Sequence, residues 1–185
     1  MRRFLSFALI LIGTVSLSAV AFERHAQSQF QRQQREALQR AVAAAPAPVA
    51  ARLPASGLIG QLDIPRIDLS VVVIEGDDTP TLAKAVGHLP DTPLPWEEGN
   101  SAMAGHRDTY FRPLRNVRLG DEIRLTSPRG VFTYKVRKAF VTVPEDLSVL
   151  QPSSGSEITL VTCYPFNYVG SAPKRFIVQA TRVDD

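Results

Sequence analysis

Glu157-Ile-Thr-Leu-Val-Thr-Cys163-Tyr-Pro165 reads as a β-strand that ends just past the only cysteine of the chain. Strand parity places Thr159, Val161 and Cys163 on one face and Ile158, Leu160 and Thr162 on the other. Pro165 limits further pairing, because it brings no N–H to a ladder. A side chain at such a strand end has a rigid base and an open approach. Cys163 is therefore a candidate nucleophile, set against the ordinary fate of a lone cysteine as a small buried hydrophobe.

Outward from this strand the pattern stays mostly β. Leu58 to Ile64 and Leu69 to Ile74 are apolar runs separated by Pro65-Arg-Ile-Asp68, as expected of two strands with a tight connection. Phe132, Tyr134 and Val136 alternate with Thr133, Lys135 and Arg137, the period of a half-buried strand, and Ser127-Pro-Arg-Gly130 is the turn before it. Arg175 to Thr181 and Asn100 to Ala104 are further strands, the second delivering His106 just past its end. Thr79 followed by Pro80 offers an N-cap and a first-turn proline, so Pro80 to Val86 is expected as a short helix ended by Gly87. Many short strands, Pro and Gly turns and few helices indicate a sandwich or a barrel. Periodicity does not choose between the two.

The 185 residues have room for one domain and an appendage. Residues 1–55 hold seven arginines against Glu23 and Glu36, leaving the rest of the chain 14 of its 21 basic and 16 of its 18 acidic residues. The high overall pI thus belongs to the N-terminal arm. A nucleic-acid partner requires a basic patch on a folded domain, and this domain is slightly acidic, so no nucleic-acid role is expected. One unpaired cysteine makes no internal disulfide, so the domain must fold on its apolar core. No Cys or His cluster has metal-ligand spacing and no Gly-rich phosphate loop appears, so neither metal nor cofactor is expected.

Phe4 to Phe22 is a run of 19 uncharged, mostly apolar residues behind Arg2 and Arg3, close to the roughly 20 a helix needs to cross a bilayer. Small residues at Ala19-Val-Ala21 would suit signal cleavage, but the run exceeds a usual signal core and continues into a helix-compatible stretch, which favours a retained anchor. Arg24, Arg32, Arg35 and Arg40 on the far side vote against an internal amino terminus; the position of the segment, where export signals sit, decides for it. Glu23 to Ala45 carries apolar residues at helical spacing and is expected as a solvated helical stalk. Ala45-Pro-Ala-Pro-Val-Ala-Ala-Arg-Leu-Pro54 reads as an extended linker. The expected organisation is a transmembrane segment over residues 1–22, a stalk and linker over 23–55, and a domain over 56–185 on the extracytoplasmic side of the cell membrane.

Chemistry gathers on three residue types. A thiolate attacks a carbonyl carbon, a histidine shuttles the proton, and an arginine steadies the developing oxyanion. Gly87-His-Leu-Pro90, Ala104-Gly-His-Arg-Asp-Thr109, Phe111-Arg-Pro-Leu114 and Thr162-Cys-Tyr-Pro-Phe166, with Arg175 twelve residues after the cysteine, resemble the sortases, most of all class D and their Gram-negative relatives. The resemblance runs from about Gly57 to Val183. It implies a closed β-barrel of about eight strands with short helices. It also implies a transpeptidase that cleaves an LPXTG-like sorting signal between Thr and Gly through a Cys163 thioester and passes the acyl group to an amine, attaching proteins to the cell surface. The partners so implied are substrate proteins with such a C-terminal signal, the amine acceptor and the membrane.

Carried over by the same resemblance, His106 is the catalytic histidine and Arg175 the oxyanion or substrate-positioning residue, with Lys174 its easily confused neighbour. Thr162 is assigned to substrate binding, through its backbone and local hydrogen bonds, with a packing role alone as the equal alternative. His88 is taken as part of a structural turn. Asp108 invites a Cys-His-Asp triad, but it serves equally as a loop cap and the family requires no acidic third member. Some sortases use calcium, so calcium dependence stays open, although Glu97, Glu98, Asp121 and Glu122 are too scattered to argue a site. Two alternatives stand beside transfer: a cysteine hydrolase of cell-wall or sorting-signal peptides, and a non-catalytic peptide-binding barrel. The Ser/Thr-His-Gly-Cys wording of an L,D-transpeptidase is absent.

Overall fold

The computed structural model describes residues 2–44 and 57–183, with the side chains of residues 2–6, 8, 9 and 44 outside that description. The linker expected over 45–55 and the first domain residue, Ser56, also lie outside the described residues. Eight strands follow one long helix: β1 (Leu58–Ile64), β2 (Leu69–Glu75), β3 (Val86–His88), β4 (Gly99–Ala104), β5 (Glu122–Ser127), β6 (Gly130–Thr142), β7 (Ser156–Tyr164) and β8 (Lys174–Arg182). They close into a barrel in the order β1-β2-β3-β4-β7-β8-β6-β5, so the choice between sandwich and barrel falls to the barrel. Two neighbouring pairs, β2 with β3 and β4 with β7, run parallel; the other pairs are antiparallel.

Strand parity builds the interior. Ile59, Leu62, Val71, Val73, Ile123, Leu125, Tyr134, Ile158, Leu160 and Val178 point inward and form one buried cluster, closed at an end by Phe111 and Leu114. Tyr134 lies fully buried because its hydroxyl donates to the Pro95 carbonyl at 2.6 Å.

Two short elements depart from the expected pattern. The helix expected over Pro80 to Val86 is only α2 (Thr79–Leu82), and its cap is Asp78, whose carboxylate accepts from the Thr81 amide at 3.1 Å and hydroxyl at 2.8 Å. Val86 to His88 instead pair with Val73 to Glu75 as β3, so His88 lies in a strand and not in a turn. β5 was not anticipated: Glu122-Ile-Arg-Leu-Thr-Ser carries only two inward apolar residues, too short a pattern to separate from a loop.

The arm shows the largest difference. Residues expected as separate anchor and stalk form one uninterrupted helix, α1 (Arg2–Ala44), consistent with the lack of Gly and Pro after Gly13. Its second half is no solvated spacer. Leu38 is only 4% exposed and, with Phe30 and Ala37, covers Leu58, Val72 and Ile74 on the outer face of β1 and β2 and Ala85 just before β3. The cause lies in β2, where Val71-Val-Val-Ile74 is apolar on both faces and needs a cover outside as well as a core inside. Hydrogen bonds fix the register of the dock. Gln31 Oε1 accepts from the Val72 amide at 3.0 Å, an edge group beyond the reach of the three-residue β3, and its Nε2 donates to the Lys84 carbonyl at 2.7 Å. Gln27 donates to Ala83 and Arg35 to Ser70. Among the described residues no helix is long and apolar enough to cross a membrane, so the expected transmembrane segment is not met there.

Candidate active site

Cys163 stands in the last turn of pleat of β7, half-buried and free. Its partner across the β7–β8 ladder is Arg175, and directly opposed residues of an antiparallel pair share a face, with Cβ atoms about 4.5–5.5 Å apart. On its other side β7 runs parallel to β4, and Ala104 with Val161 is the last pair. His106 and Cys163 are each two residues beyond that pair. The backbone positions of Cys163, Arg175 and His106 therefore gather at one end of the barrel wall, the first two in adjacent strands and the third just past the end of β4.

Local contacts make this end rigid. The Gly105 amide donates to Val161 at 3.2 Å, and the Thr162 hydroxyl donates to the Gly105 carbonyl at 2.7 Å. Thr162 is thus 2% exposed and joins the cysteine strand to the histidine segment, with no side-chain surface offered to a ligand. Gly105 leaves room for Phe111: a Cβ there would sit 2.8 Å from the ring, with Phe111 already fully buried. Beneath the cysteine, Tyr164, Phe166 and Phe176 form a ring cluster with centroids 5.4 to 6.3 Å apart. His106 is exposed, and its carbonyl accepts from the Phe111 amide at 3.0 Å.

Arg175 also borders a groove. Ala104, Val161 and Ile177 form its floor, and Val143, Pro144, Leu147 and Leu150 form a wall, with Leu89 and Asp77 on the other side. The wall belongs to the connection between β6 and β7, a feature not read from the sequence. Val143 and Leu147 are exposed there, and apolar residues in a capped turn were the available signal. Buried Asn100 and Thr159 and half-buried Thr142 pin this wall. Asn100 Nδ2 donates to Val149 at 2.9 Å, the Thr159 hydroxyl donates to Asn100 Oδ1 at 2.7 Å, and the Thr142 hydroxyl donates to Asp146 at 2.6 Å. Hydrogen bonds from Ser148 and Thr142 hold the Asp146 carboxyl below its ordinary range.

The remaining candidates fall elsewhere. His88 is 1% exposed; its Nδ1 lies 2.9 Å from Glu75 Oε2 and its Nε2 3.0 Å from the Pro93 carbonyl. Asp108 makes no hydrogen bond to His106 and lines a separate cleft against α1, with Arg24 and Arg112. Lys174 is exposed and paired with Tyr164. Among the described residues no group of three or more His, Cys, Asp or Glu could hold a metal. Asp121 and Glu122 are committed to Arg66 and Arg124.

Comparison with known proteins bears on this geometry. The Sortase domain family model matches residues 62–183. Sortase D of Bacillus subtilis is 42% identical over 125 residues, which are 67% of this chain and 63% of the relative. Sortase A of Listeria monocytogenes is 28% identical over 118 residues, 62% of this chain and 53% of the relative. The chain therefore spans less than two thirds of either relative. Among solved structures, the Sortase D5 transpeptidase of Clostridium perfringens aligns with a TM-score of 0.71 at 26% identity, over 84% of this chain and 99% of that one.

Proposed function

Since the chain belongs to the sortase family and resembles its class D members, we propose that it is a membrane-anchored cysteine transpeptidase acting on LPXTG-like sorting signals. The observation that carries the reading is the register of β7 on β8, which sets Cys163 opposite Arg175, a residue that also lines the groove. An apolar-floored groove takes an extended peptide with alternate side chains down. Its Thr carbonyl then reaches the thiol.

In the proposed reaction the Cys163 thiol gives its proton to His106, the resulting thiolate attacks the carbonyl carbon of the Thr–Gly bond, and the Arg175 guanidinium donates to the oxygen as it becomes negative. Collapse breaks the C–N bond, His106 gives its proton to the departing Gly nitrogen, and a thioester remains. An acceptor amine attacks that thioester, gives a proton to His106, and the thiolate leaves. Thr162 serves this site by holding β7 to the Gly105 segment, so its part is positional.

Anchoring through residues 4–22 belongs to the same proposal. It is supported by the 19 uncharged residues and by the outward apolar side chains of α1, with Phe7, Leu11, Leu17 and Phe22 all exposed. The barrel then stands on the extracytoplasmic face. Mass spectrometry of the protein with a sorting peptide tests the chemistry. A covalent adduct on Cys163, converted to conjugate by added amine, is expected. Hydrolysis alone across a range of amines would favour the hydrolase, and no adduct with any sorting peptide would overturn the acyl transfer and leave the binding module standing.

A further inference from the structure

Gly105-His-Arg-Asp108 holds a side chain that acyl transfer does not use. Arg107 reaches across from the segment after β4 to the connection between β7 and β8, where its Nη2 donates to the Tyr168 carbonyl at 2.7 Å and the Gly170 carbonyl at 3.0 Å. The guanidinium lies 5.8 Å from the centre of the Tyr168 ring, within range of a cation–π contact. Its Nη1 is buried without an acceptor. A buried donor left unpaired costs about 1–3 kcal/mol, so stability alone is a poor account of an arginine here. The geometry of two carbonyls met by one planar fork is the better account.

The connection it grips has little else to hold it. Residues 166–173 run between Phe166, packed on the core, and the start of β8, and Val169 is 95% exposed. Among the described residues, the other hydrogen bonds made by this stretch come from within it or from its own flanks, Tyr168 to Pro165 and Arg175 to Ala172. The grip also joins two segments with opposite duties. One begins at His106, immediately before Arg107; the other begins directly after Cys163 and Tyr164. Apart from those of Arg107, the hydrogen bonds that join the His106 region to the Cys163 region beyond the β4–β7 ladder, among the described residues, are the two at Gly105, both on the barrel side of the histidine.

We propose that Arg107 is a positioning residue: by clamping the Tyr168–Gly170 backbone to the histidine segment it fixes the approach of His106 to Cys163. The inference rests on the acyl-transfer reading for its consequence, but not for its test. Iodoacetamide alkylation of Cys163 at fixed neutral pH needs no sorting peptide. It is compared in full-length wild type, Arg107→Ala, Arg107→Lys and His106→Ala.

If the clamp acts through His106, Arg107→Ala slows alkylation several-fold, toward the His106→Ala rate, and Arg107→Lys, a single-point donor, restores only part. With a peptide substrate Arg107→Ala loses kcat about tenfold while KM stays within about twofold, because the groove is untouched. A merely structural role would lower the melting temperature and leave the alkylation rate and the kcat–KM split unmoved. If His106→Ala alkylates like wild type, the acyl-transfer reading fails. If His106→Ala is slow and Arg107→Ala is like wild type, the clamp fails. Should Arg107→Ala not fold, Arg107→Lys and Arg107→Gln carry the same comparison, and wild-type behaviour in both overturns the proposal.

Discussion

Cys163 and Arg175 are direct partners across the β7–β8 ladder, and the same ladder sets Lys174 opposite Tyr164. One residue of register thus separates an arginine beside the thiol from a lysine on the other face. A sheet enforces that distinction strictly, since a slip of one residue exchanges the faces.

Arg175→Lys should keep the charge and lose on the order of 100-fold in kcat, the usual consequence of removing one oxyanion donor. Lys174→Ala should stay within about twofold, because an exposed strand charge contributes little. Steady-state transfer of a peptide to an amine measures both. The reverse ranking would assign the oxyanion role to Lys174.

The two histidines outside the helix should separate by observable. His88→Ala removes the contacts to Glu75 and Pro93 from a fully enclosed site and should cost about 1–3 kcal/mol, visible as a lower melting temperature. His106→Ala, at an exposed position, should melt like wild type and transfer nothing. Thermal denaturation beside an activity assay decides, and full activity in folded His106→Ala would remove it from the mechanism.

Leu38→Ala should destabilise the barrel although it lies twenty residues upstream of β1. Deleting a buried leucine costs about 2–5 kcal/mol where neighbours cannot close the gap, and at a helix–barrel junction the low end, about 2 kcal/mol, is expected. Melting of full-length protein and of a fragment starting at residue 57 gives the check. The fragment should also self-associate, because Leu58, Val72 and Ile74 lose their cover. Equal melting temperatures would make the dock incidental.

Acid should act through Asp121. Its hydrogen bonds from Arg66 and the Arg118 amide hold the carboxyl below its ordinary range. A depressed folded pKa contributes stability above the unfolded value, near ~3.9, and loses it as pH falls through the folded value. Asp121→Asn should therefore melt lower than wild type at pH 6, with the difference shrinking as pH drops below the unfolded value of about 3.9. A constant difference over that range would mean the carboxylate charge contributes nothing.

Much of this was legible because single residues betray their surroundings. The alternation around Phe132 and the end of the strand at Pro165 marked elements that the structure retains, and the wording around Cys163 and His106 named the barrel that periodicity left open. β3 and β5 escaped because three and six residues carry too few inward positions to declare a period. The docked helix was written in Val71-Val-Val-Ile74, a strand apolar on both faces, yet that run was read only for its strand. The groove wall escaped for another reason: Asn100 and Thr159 look like ordinary polar strand residues until the Leu147–Leu150 turn is laid over them.

The docked half of α1 also fixes a height. From Phe22 to Leu38 the helix rises roughly 24 Å at 1.5 Å per residue, and hydrogen bonds at Gln27, Gln31 and Arg35 prevent the barrel from swivelling on it. An enzyme held at the membrane by residues 4–22 would then work as a bench tool bolted to its base and not as a float on a line. Under that proposal its groove would meet the bilayer at one distance and one angle, and a substrate retained in the same bilayer would have to present its cleavage motif at that level.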